Sequence, residues 1–147
     1  MIQISRHLKS LLAVFALTAA LDVSAQPKTI QDSFREMPDS LLPYLSQNNR
    51  LDMLDFMASG MKARVQNKFD GHSEMLTLTD DSLSIQMSEV MMLTMKLLPT
   101  VQEYDGAKQV IMMQKTMKDS SGKQTTRCTF YTISWRKIDE GQVEIVK

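Results

Sequence analysis

From Glu74 onward the apolar positions recur every second residue. Leu76 and Leu78 alternate with Thr77 and Thr79, and Leu83, Ile85 and Met87 alternate with Ser84, Gln86 and Ser88. That period predicts strands with one face in a core. With Asp80 and Asp81 as a two-residue hairpin loop, Leu78 faces Leu83 and Leu76 faces Ile85, so the apolar sides coincide. A three-residue loop, Ser88-Glu89-Val90, sets Met91, Leu93 and Met95 against Met87, Ile85 and Leu83. Pro99 closes that strand. Tyr104-Asp105-Gly106 marks a turn. Residues 109–118 and 123–135 then read as a long hairpin around the four-residue loop Asp119-Ser120-Ser121-Gly122. It places Ile111 opposite Phe130 and Met113 opposite Cys128. The other face carries Val110, Met112, Tyr131, Ile133 and Trp135. The tail GQVEIVK offers one more short strand.

Before Glu74 the pattern is helical and interrupted. Ile30, Phe34 and Met37 recur at helical spacing until Pro38. Asp39 or Ser40 caps a second short helix that holds Pro43 in its first turn. Asn49 caps a third, RLDMLDFMAS, with Asp52 in a loose capping box, and Gly60 ends it. Leu51, Leu54, Ala58 and Met61 line one side of it. The stretch 61–73 fits strand and helix equally. The expected fold is α+β: short N-terminal helices (28–60) packed on an antiparallel, hairpin-built meander sheet (74–147).

The first residues change the picture of where this domain works. Arg6 and Lys9 precede an apolar run from Leu11 to Leu21, and Val23 and Ala25 stand three places and one place before a cut at Gln26. This is the layout of a secretory signal over residues 1–25. The run is too short to span a bilayer, which takes about 20 apolar residues. Residues 26–147 then form one domain, without a transmembrane span after processing. An exported chain is expected to act in the periplasm or at the outer membrane or cell surface.

Composition removes several activities. Seventeen basic residues balance seventeen acidic ones, so the chain has no basic stripe for tracking phosphates and nucleic acid is an unsuited partner. Cys128 is the single cysteine, which leaves stability to packing. Met75, Met87, Met91, Met92, Met95, Met112, Met113 and Met117 fall mostly where strand residues point inward, and methionine fills irregular gaps in cores. Thirteen methionines also raise a soft-metal carrier as a rival reading.

His72, beside Gly71, reads as a turn residue; it is the only histidine once the leader with His7 is removed, and one histidine cannot build a multi-histidine zinc site. Asp80, Asp81, Asp105 and Asp119 sit at turns, where their side chains bond to nearby backbone. Asp52 and Asp55 share a helix side and can be imagined as an acid–base pair. No catalytic, cofactor or metal set emerges. Tyr131, Ile133 and Trp135 are the candidate contact face: they form either a partner surface or a second small core closed by the tail.

MPDSLLPYLSQNNRLDMLDFM, LTLTDDSLSIQMSE, MKLLP and FYTISW together resemble the domain-of-unknown-function 3256 family of secreted proteins from Gram-negative gut and oral anaerobes. The likeness runs from about Phe34 to Trp135. It implies export, a helical start before a sheet, and no assigned activity or ligand. Family members carry extra cysteines where this chain has Met112, Met113 and Met117, and they continue well past the segment matching Trp135. The chain thus reads as a C-terminally short member. The leading expectation is an exported, non-enzymatic module that contacts another protein or an envelope component. An envelope-polymer hydrolase using Asp52 and Asp55 or His72 is the rival.

Overall fold

Thr29 starts the first helix by trading hydrogen bonds with Asp32: each residue's backbone N–H donates to the other's side chain, both at 3.2 Å. This capping box launches α1, Ile30–Glu36, and the extended Met37-Pro38 pair stops it. The computed structural model describes residues 28–147, and the leader read over residues 1–25 lies outside the described residues. The second helix is shorter than expected, a 3-10 turn over Asp39–Leu41 that ends before Pro43.

The third helix, α2, spans Gln47–Ala58 and begins earlier than its expected start. Ser46, not Asn49, is the cap; Asn49 is the reciprocating third residue of the box, at 3.1 Å in both directions. The expected apolar side is corrected too. Arg50, Met53 and Leu54 are buried, whereas Ala58 and Met61 are exposed. A cation sits on the buried stripe, which is why periodicity of apolar residues missed it. Gly60 ends α2 as expected, at φ +67°, with Met61 N–H donating to Phe56 O and Gly60 N–H to Met57 O.

Arg50 is 1% exposed and holds the connector between the helices. Its Nε donates to Phe34 O at 3.0 Å and Nη2 to Met37 O at 2.6 Å. Nη1 donates to Asp39 Oδ1 at 2.7 Å and to Leu45 O at 3.4 Å. The Arg50 hydrogen bond, with help from Lys68, keeps the Asp39 carboxyl below its ordinary range.

The sheet is an antiparallel meander of seven strands in sequence order. They are β1 Ala63–Gln66, β2 His72–Leu78, β3 Ser82–Ser88, β4 Met91–Tyr104, β5 Ala107–Lys118, β6 Gln124–Tyr131 and β7 Lys137–Ile138. The sheet therefore starts at Ala63, and the open stretch 61–73 is a strand and a turn. Asp80-Asp81 is the two-residue loop expected, with Leu78 against Leu83. A bulge at Leu76 then puts Met75 opposite Ile85 and turns Leu76 out to solvent. A second irregularity at Met87 pairs Ser88 with Met91, while Ile85–Leu93 and Leu83–Met95 stand as expected. Asp105 and Gly106, both at positive φ, form the tight β4–β5 loop.

Pro99 does not close β4. Its carbonyl accepts from Val146 N–H, so its ring nitrogen, on the same side of the strand, owes nothing to β5. Past that point β4 borders the tail, through the Thr100–Ile145 bridge and Val101 N–H to Glu144 O.

The last hairpin slips by one residue from expectation. Asp119 N–H donates to Lys123 O, leaving a three-residue loop with Gly122 at φ +85°. Asp119 Oδ1 accepts from the N–H groups of Ser121 and Lys123, which fixes that loop. Ile111 therefore opposes Tyr131 and Met113 opposes Thr129. One residue of slip exchanges faces. Tyr131 enters the main core between the helices and the sheet, with Ile111 and Met113. Phe130 joins Val110 and Ile138 in a second core on the opposite face, flanked by Leu98, Tyr104, Met112 and Val143 of the tail.

Three outcomes are expected. Arg50→Met strands three buried carbonyls and lowers unfolding free energy by about 3 kcal/mol in urea titrations. Ser33 Oγ is fully buried and has no partner among the described residues, so Ser33→Ala raises stability by about 1 kcal/mol in the same assay. Asp39 has a depressed pKa, so its contribution is present above the ordinary value of 3.8 and fades as pH falls through the folded value. Thermal midpoints from about pH 6 down to about pH 2 fall less steeply in Asp39→Asn than in the parent.

Candidate protein-contact surface

A meander has two edges, and this one treats them differently. At β1 the outward-facing backbone groups belong to Arg64 and Gln66, because Asn67 and Gly71 form the hydrogen-bonded pair that closes the turn. Gln66 O accepts from Asn49 Nδ2 at 3.2 Å, and Arg64 N–H turns back to Lys62 O. That edge is short, and α2 takes one of its outward carbonyls.

β6 is the other edge. β7 covers only Phe130 and Tyr131 before the chain leaves at Asp139. Counting the ladder from the Asp119–Lys123 closing pair, Thr125, Arg127 and Thr129 bond to β5. The N–H and C=O of Gln124, Thr126 and Cys128 point outward, and no described group bonds to them. Residues 124–128 are exposed throughout. Where β7 departs, a hollow of about 310 Å³ opens among Arg127, Cys128, Phe130, Lys137 and Glu140.

The charge beside this edge is unbalanced. Lys115 of β5 stands directly opposite Arg127 of β6, both on the helix side of the sheet. Directly opposed like charges repel. Among the described residues neither forms a salt bridge. Lys115 Nζ donates to Leu41 O at 3.0 Å, and burial, then the Arg127 charge, lower its pKa. Cys128 is shifted the other way: burial and the nearby Glu140 raise its thiol, the opposite of what a nucleophile needs.

The residues singled out from sequence do not form one exposed face. Tyr131 is 8% exposed, and its strand ends there. The expected regular strand through Trp135 is a tight turn instead, closed by Thr132 N–H to Arg136 O, with Trp135 at φ +65°. Trp135 packs on Tyr131 with ring centroids 5.5 Å apart and donates from Nε1 to Ser33 O in α1. Ile133, half-buried, takes Lys28 Nζ on its carbonyl. Tyr131 and Trp135 thus brace the sheet against α1.

Asp52 and Asp55 are exposed on the solvent side of α2. His72 lies on the opposite face of the sheet, in a hollow with Arg64, Glu74 and Gln86. The convergence that a hydrolase would require of them is not formed. Met37, Met53, Met75, Met87, Met91, Met95 and Met113 are buried among Leu83, Ile85 and Leu93. The exposed Met61, in the bend before β1, and the exposed Met117, on β5, lie far apart in the sheet order. No described group of three or more His, Cys, Asp or Glu side chains gathers around a metal-sized space, and no described helix is long and apolar enough to cross a membrane.

The β6 edge was missed from sequence, though a signal exists. QTTRCT, residues 124–129, carries no apolar alternation and is polar on both faces, as an uncovered edge strand is. Among solved structures, a domain of an uncharacterized protein from Porphyromonas gingivalis W83 is similar, with TM-score 0.61 and 24% identity. The likeness covers 77% of this chain and 55% of that one, and it shows a shared fold. No curated protein matches the chain. The family model described as "Protein of unknown function (DUF3256)" matches residues 22–146, as the motifs implied, and the chain belongs to that family.

Proposed function

We propose that this protein is an exported, non-enzymatic module that contacts another protein, or an envelope component, in the periplasm or at the outer membrane or cell surface. The observation that carries the contact is the β6 edge: three residues with outward N–H and C=O groups, exposed and unbonded among the described residues, in a domain whose other edge strand is shorter and bonded to α2. Unpaired backbone of this kind is a template for strand addition. The leader-like pattern of residues 1–25 supports export, and the scattering of Asp52, Asp55 and His72 argues against the hydrolase.

Photoreactive benzoylphenylalanine placed at Thr126, and at Gln66 and Thr94 as controls, tests this in cells that make the protein. A discrete cross-linked species is expected from Thr126 alone, in a fraction whose N-terminal sequence begins at Gln26. Adducts from the control positions but not from Thr126 would refute the edge as the contact.

A further inference from the structure

The edge has a chemistry as well as a shape. Resting on the contact reading above, we propose that β6 accepts an extended peptide strand that carries an aspartate or glutamate opposite Arg127. Strand addition requires donors and acceptors in alternation, because Gln124, Thr126 and Cys128 each present both an N–H and a C=O. A phosphate polymer offers acceptors but no matching row of donors. A peptide backbone supplies both.

The side chain opposite Arg127 on an added strand would share the helix-side face, with its Cβ about 4.5–5.5 Å away. There it meets two cations, Arg127 and Lys115 behind it, with no carboxylate on either. One acidic side chain turns the like-charge pair into an alternating row across β5, β6 and the guest. Lys123 in the loop and Lys137 on β7 add to the positive field, whereas Asp139 and Glu140 mark the end where β7 departs. The carboxylate is therefore specified at one position, near the middle of the slot. About six residues span the slot from Gln124 to Thr129.

The same charges disfavour a second copy. Antiparallel self-pairing centred on Thr126 lays two Lys115–Arg127 pairs side by side, four cations with no carboxylate between them.

The test uses the chain from Gln26, kept reduced, and two synthetic peptides: acetyl-Thr-Val-Thr-Glu-Thr-Val-Thr-amide and its counterpart with Lys for Glu. The Glu peptide is expected to slow amide exchange at Gln124, Thr126 and Cys128 and to bind about tenfold tighter than the Lys peptide. Arg127→Glu reverses that order. Thr126→Pro removes an outward N–H without breaking the β5 ladder, so it abolishes binding and leaves the thermal midpoint within about 5 °C. Equal binding of both peptides overturns the acidic assignment. Absence of protection at millimolar peptide overturns the strand slot, as does a concentration-dependent dimer that protects the same three amides unaided. Failure here beside an intact Thr126 cross-link in cells would sink the acidic strand and leave the contact reading standing.

Discussion

The domain depends on one buried guanidinium. A sheet built of consecutive hairpins needs little help to find its order, but one face must be roofed, and the roof is made of two helices joined by an irregular connector. The nine residues between α1 and the cap of α2 carry carbonyls that neither helix satisfies. Arg50 reaches three backbone acceptors on or beside that connector, Phe34, Met37 and Leu45, and one carboxylate, Asp39. Its planar fork suits several acceptors at fixed angles, which a lysine ammonium does not. Buried charge is costly unless so paired. Here the pairing converts an unsatisfied loop into the rigid lid over Phe34, Met53 and the β3–β4 strands.

Much of the sheet was legible in the sequence because strand patterning is a local signal. Asp80-Asp81, the Ile85–Leu93 register and the Asp105-Gly106 turn follow from period-two alternation and turn chemistry. The misreadings share a cause. At Leu76 and in the last hairpin, a single extra or missing residue in a bulge or loop decided which face a side chain took. Alternation cannot see that when both faces carry apolar residues, as β5 does with Ile111 and Met112. Tyr131 was assigned to a contact face for this reason. The buried Arg50 was missed for a different one, and the open β6 edge left only its polar stretch as a trace: each is defined by what the rest of the chain does or does not bring alongside it.

The two faces of β5 and β6 show how the protein finishes itself. The second core, Val110, Phe130 and Ile138, is closed by the tail through Val143 and through the Tyr104 hydroxyl, which donates to Gln142 O. A small apolar patch that might have been left for a partner is thus covered internally, and what remains exposed along β6 is polar backbone with flanking cations. Recognition by hydrogen-bonded backbone and charge suits a surface that must stay soluble while vacant.

Trp135 has a bearing on how the chain matures. Its left-handed backbone, costly for any residue but glycine, is held where the indole reaches Ser33 O, 102 positions earlier in sequence. Synthesis runs from the amino end, so the first helix emerges long before the tryptophan that secures it. Until Trp135 is in place, the hairpins can zip up one after another while that helix lacks this tie. Closing the roof over the sheet is thus the most non-local step of the fold, and it follows the hairpins instead of guiding them.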